Sequence, residues 1–94
     1  MKIYWTLPAE QDRTGIIDFI GQDNPLAAIR MDELFSSSSL RLADHPLLGR
    51  TGLIPGTREL IPHENFRMVY EVRGDTVWIL ALVHTSRMWP PLQI

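Results

Sequence analysis

The chain has 94 residues, 45% of them apolar and 21% charged, with a net charge of −2. That length fits one domain, and this composition excludes a disordered chain. There is no cysteine, which removes disulfides, thiolate metal sites and a cysteine nucleophile together. In chain order, Ile3, Tyr4, Trp5 and Leu7 predict a short strand over residues 3–7, ended by Pro8. Residues 9–21 gather Ile16, Ile17, Phe19 and Ile20 among polar side chains, predicting an amphipathic helix that Gly15 weakens.

The clearest start signal follows. Asn24 can cap a helix through its side-chain oxygen, and Pro25 in the first turn needs no amide hydrogen. Ala27, Ala28, Met31, Leu34, Phe35 and Leu42 then recur at helical spacing, with Ser38 at one inward position of the serine run 36–39. Asp44-His45-Pro46 ends this second helix. Residues 45–56 contain Pro46, Gly49, Gly52, Pro55 and Gly56 and read as a loop. Three strands are predicted next, over 57–61, 66–73 and 77–84, joined by a turn at Pro62-His63-Glu64-Asn65 and a tight one at Gly74-Asp75. In the middle strand Phe66, Met68, Tyr70 and Val72 share one face, while Arg67, Val69, Glu71 and Arg73 share the other. The expected fold class is α+β: a short N-terminal strand, a helical hairpin and a three-stranded antiparallel meander, in one domain over 1–94 with a short tail over 85–94.

Charge is unevenly divided. Residues 1–49 carry −3 and residues 50–94 carry +1, with Lys2 the sole lysine. Neither half has the dense cationic surface that direct nucleic-acid binding needs, so a protein partner is expected instead. The N-terminus lacks the apolar core of a signal peptide. The longest apolar run, residues 77–83, falls well short of the roughly 20 residues that cross a bilayer. A cytoplasmic protein without membrane contact is expected.

Five motifs occur in order: Asn24-Pro25-Leu26-Ala27-Ala28, His45-Pro46-Leu47-Leu48-Gly49-Arg50, Pro55-Gly56-Thr57-Arg58-Glu59-Leu60, the segment Phe66-Arg67-Met68-Val69-Tyr70-Glu71-Val72, and the closing His84-Thr85-Ser86-Arg87-Met88-Trp89-Pro90. Together they resemble the RelE/ParE family of bacterial toxins, and the second-helix start and the ending resemble its ParE branch. The resemblance implies the toxin half of a type II toxin–antitoxin pair with a ParD-like or related antitoxin. It also implies one of two targets: ParE-like members inhibit DNA gyrase, whereas RelE-like members cut messenger RNA in the ribosome.

Arg67 stands where ribosome-dependent members place a catalytic arginine, and a guanidinium suits a charged phosphorane. His84 and Arg87 could supply an acid or a second phosphate contact. Against this, alternation allows Arg67 to be a solvated residue on the open sheet face, paired with Glu59 or Glu71. Scarce lysine and the Trp-Pro ending favour gyrase inhibition by binding, with no bond chemistry. The expected gyrase-facing residues are Arg87, Trp89, Arg67 and Arg58, since arginine and tryptophan are enriched at binding hot spots. A structural reading stands beside each: Arg58 and Glu59 as strand pairing, His84 as scaffolding, Trp89-Pro90 as a cap on the core. The antitoxin is expected on the second helix and its adjoining sheet edge, through Ala27, Met31, Leu34 and Phe35. His45 and His63 lack partners at ligand spacing, and neither a metal nor another cofactor is expected. A third reading is an inert member that only binds its antitoxin.

Overall fold

The computed structural model describes residues 1–91; residues 92–94, the end of the expected tail, lie outside the described residues. Strand β1 (Lys2–Trp5) leads into helices α1 (Leu7–Asp23) and α2 (Pro25–Asp44). The sheet is completed by β2 (Arg50–Thr51), β3 (Arg58–His63), β4 (Phe66–Arg73) and β5 (Thr76–His84). Its order is β1-β5-β4-β3-β2, with β1 parallel to β5 and every other pairing antiparallel. The α+β class and the succession of strand, two helices and antiparallel strands are as expected.

The first strand is shorter than its sequence implies. Thr6 leaves it to cap α1: its hydroxyl accepts the Ala9 N–H (3.4 Å) and donates to the Ile79 carbonyl (2.9 Å). Pro8 therefore lies in the first helical turn, where a missing N–H costs nothing, rather than closing a strand at Leu7. The Asn24 cap forms as predicted, with Oδ1 accepting the Ala27 N–H at 3.0 Å. Arg13 fastens the hairpin. Its Nε meets Asp32 Oδ1 at 2.8 Å, one terminal nitrogen donates to the Asp32 carbonyl (2.9 Å) and Ser36 Oγ (2.6 Å), and the guanidinium covers the Trp5 ring at 4.7 Å.

Helices and sheet enclose one core of Ala9, Phe35, Leu42, Phe66, Met68, Tyr70, Val77, Ile79 and Leu82. Phe35 and Phe66 meet edge to face at 5.6 Å. A bulge decides which side of β5 joins them: Val69 faces Ala81 but Tyr70 faces Ile79, which leaves Leu80 unpaired. Ile79 and Leu82 thus both reach the core although three residues apart. β3 runs on to His63, through Pro62, with a register shift between Leu60 and His63, so only Glu64-Asn65 turn the chain.

The segment predicted as loop over 45–56 contains the two-residue edge strand β2 and is pinned from below. Tyr70, fully buried, accepts the Gly49 N–H (2.9 Å) and donates to the Pro46 carbonyl (2.8 Å). Burial raises the phenol's pKa above its ordinary value; the Gly49 N–H and Arg58 oppose this. The group stays protonated and able to donate. Gly49 is required by this approach, since a Cβ there would stand 2.7 Å from the Tyr70 ring and 2.9 Å from the Glu59 carbonyl. Tyr70→Phe is expected to cost about 1–3 kcal/mol, because it strips the partner from a buried N–H. Urea denaturation measures this, and an unchanged midpoint would show that the segment does not depend on the bridge.

Candidate functional site

β3 sends Arg58 and Glu59 to opposite faces of the sheet. Arg58 turns under the 45–56 segment, donating to the Gly49 carbonyl at 2.8 Å and lying 3.5 Å from that of Leu47. Its guanidinium is thereby committed to the scaffold. Glu59 points to the face without helices, where its side chain is 1% exposed. Its Oε1 lies 3.3 Å from Arg50 and 3.4 Å from Arg67 Nε, and its Oε2 accepts the Leu53 N–H at 3.2 Å.

Arg67 is not the solvated residue that alternation allowed. Its side chain is only 15% exposed and its charge faces Glu59, one of the two carboxylates expected for it. Its Nε is buried without an aligned hydrogen bond among the described residues, so the contact with Glu59 is an ion pair of charge rather than of direction. Glu71 pairs with Arg73 instead, at 2.9 Å.

His84 lies on the opposite face from Arg67. It is in register with Phe66, and the two rings meet edge to face at 5.4 Å, whereas Arg67 is in register with Val83. The His84 Nδ1 accepts the Ser86 N–H at 3.1 Å and contacts Ser86 Oγ at 2.6 Å. The sheet stands between the imidazole and the Arg67 guanidinium, so the Arg67–His84 pair does not converge on one point.

The tail leaves β5 through a tight turn. The Arg87 N–H donates to the His84 carbonyl (2.9 Å), while Thr85 binds the Asn65 and Glu64 carbonyls, each at 2.9 Å. Arg87 and Met88 project into solvent. Trp89 turns inward, half-buried, and lines a groove of about 960 Å³ together with Ile16, Phe19, Phe66 and His84. The indole Nε1 is buried there without a hydrogen-bond partner among the described residues. Of the tail residues singled out from sequence, Arg87 faces outward and Trp89 is its anchor. Met88 is exposed beside Arg87, and a methionine in a tail carries no sequence pattern that would mark it.

On the helical hairpin, Ala27, Met31 and Leu34 are half-buried and Phe35 is 0% exposed. The expectation for Phe35 is corrected: packed between α2 and Phe66, it has no surface left for a partner. The apolar residues that α2 does present are Leu26, Ile29 and Leu40, with Phe19 of α1 also exposed. They lie on the stripe opposite the core positions. A helical wheel centred on that stripe would have found them. Among the described residues no helix is long and apolar enough to cross a membrane.

A family model described as ParE toxin of type II toxin–antitoxin system, parDE, matches residues 3–89. Toxin RelE2 of Caulobacter vibrioides is similar, with 34% identity over 87 residues covering 93% of this chain and 98% of that one. The chromosomal ParDE system from P. aeruginosa matches in structure with a TM-score of 0.79 at 24% identity, covering 89% of this chain and 95% of that chain. A YoeB/ParE toxin from Agrobacterium tumefaciens matches with a TM-score of 0.65 at 21% identity, covering 89% and 98%. At such identities the solved structures speak for the fold; kinship rests on the family model and the toxin relative. From β1 to the inward-turned Trp89, the chain belongs to the ParE toxin family of type II toxin–antitoxin systems.

Proposed function

We propose that this toxin acts by binding DNA gyrase, without bond chemistry of its own, and is held in check by a ParD-like antitoxin. One observation carries the choice of target: the arginine that a nuclease would use, Arg67, is nearly buried and already faced by the Glu59 carboxylate. A phosphate brought to that guanidinium would meet a fixed negative charge within the same contact, the reverse of what stabilises a phosphorane. The name of the RelE2 relative favours a rival, cleavage of messenger RNA in the ribosome. That reading needs Arg67 to act with His84 or Arg87, and the sheet lies between Arg67 and His84.

The tail is the gyrase-facing element in this reading. Arg87 and Met88 make the contact, and Trp89, seated in its groove, sets their direction. The antitoxin covers the first turns of α2, at the exposed Leu26 and Ile29. Purified toxin added to a supercoiling assay is expected to abolish supercoiling or accumulate cleaved DNA. Full gyrase activity together with ribosome-dependent cutting of a message would overturn the reading. Within the assay, Arg87→Ala combined with Met88→Ala is expected to raise the half-inhibitory concentration at least about tenfold, the scale of a hot spot. Equal potency of the double variant would remove the tail from the interface.

A further inference from the structure

Residues 45–54 hold several apolar side chains in water. Leu47 and Leu53 are 66% and 68% exposed, and Leu48 is exposed beside them. They flank β2, an edge strand of two residues. A loop that leaves three leucines in water is ordinarily mobile, yet this one is fixed at each step by groups beneath it. Tyr70 holds Pro46 and Gly49, Arg58 holds Leu47 and Gly49, and Glu59 holds Leu53. Thr57 closes the far end, accepting the Gly52 N–H at 2.8 Å through its carbonyl and donating through its hydroxyl to the Ile54 carbonyl at 2.7 Å. A Cβ on Gly52 would collide with Thr57 Oγ1. Buried polar side chains are therefore spent on holding exposed apolar ones still.

We propose that residues 45–54 form a pre-formed docking arm whose leucines, with Arg50 among them, seat in an apolar, carboxylate-rimmed pocket of the toxin's target. The inference rests on the gyrase reading, for which it adds a second contact element.

Three features identify the occupant. A rigid arm loses little freedom on binding, which suits a folded partner of fixed shape more than a segment that folds as it binds. Its charge is positive: one carboxylate, Glu59, is shared by two guanidiniums, and of these Arg50 is 60% exposed. A partner rimmed by acids is complementary to that excess. Third, the arm follows the C-terminal end of α2, whereas Leu26 and Ile29 stand in its first turns. A helix of 20 residues spans about 30 Å, so a segment lying on those first turns leaves the arm free.

The test compares wild type with the double substitution Leu47→Ser, Leu53→Ser in gyrase supercoiling, with antitoxin affinity and thermal melting measured in parallel. Both side chains are mostly exposed, so the fold is expected to hold. The expected result is at least a tenfold loss of gyrase inhibition with antitoxin affinity and melting unchanged. Inhibition equal to wild type would overturn the arm while leaving the gyrase reading intact. Loss of antitoxin affinity instead would overturn the assignment to the target. A wild-type toxin that leaves gyrase untouched would overturn the gyrase reading itself, and with it the arm's assigned occupant.

Discussion

Glu59→Gln is expected to lower stability by about 3 kcal/mol, the low end of what removing one member of a buried ion pair costs. Glutamine keeps the shape and can still accept the Leu53 N–H, so the substitution removes charge and little else. What it leaves behind is Arg67, 15% exposed, with its nearest anion gone. The low end applies because Arg50, the other partner, is largely solvated and Arg67 retains some contact with water. A 94-residue domain has little stability in reserve, so this is a large fraction of the whole. With a urea slope of about 1–1.5 kcal/mol/M, the midpoint falls by about 2–3 M. Adding Arg67→Met should restore much of the loss, since the pair is then replaced by apolar and neutral groups. A single variant within 0.5 M of wild type would show that the carboxylate contributes nothing net. The same outcome would weaken the case that Glu59 occupies Arg67.

Phe35→Ala is expected to cost about 3–5 kcal/mol, as for truncation of a buried aromatic in a tight core. Phe35 is wholly buried and meets Phe66 edge to face, so its loss opens a cavity between α2 and the sheet. Its neighbours on the same helix behave differently. Leu26→Ser with Ile29→Ser removes apolar groups that already stand in water, and stability is expected to change by less than about 1 kcal/mol. Antitoxin affinity should reverse the order: the Leu26/Ile29 variant loses at least about tenfold, while Phe35→Ala loses only what its unfolded fraction explains. Titration of each variant with antitoxin at a temperature where both are folded measures this. Undiminished binding by the Leu26/Ile29 variant would move the antitoxin off the exposed stripe of α2.

Much of this molecule is written locally. Asn24-Pro25 starts α2, the alternation from Phe66 to Arg73 gives β4 its two faces, and Gly74-Asp75 turns the chain, because caps, pleat and turns depend on a few adjacent residues. The motifs at 24–28, 45–50 and 84–90 likewise pointed to the family that residues 3–89 match. What those residues do was less legible. Thr6-Leu7-Pro8 has the composition of a strand end and became a helix cap because the Ile79 carbonyl offered the threonine hydroxyl a partner 73 residues away. Arg67 has the spacing of a solvated residue, and its enclosure follows from where β3 sets Glu59. Trp89 faces inward because a groove between α1 and β5 receives it, and Leu26 and Ile29 face outward because the sheet claimed the other side of α2. Sequence by itself determined the elements other than the edge strand β2, their order and the kinship, since these rest on short-range hydrogen bonding and periodicity. Which arginine is neutralised, which tail residue is an anchor and which leucines meet water were decided by the tertiary structure, because burial and charge pairing depend on residues distant in the chain.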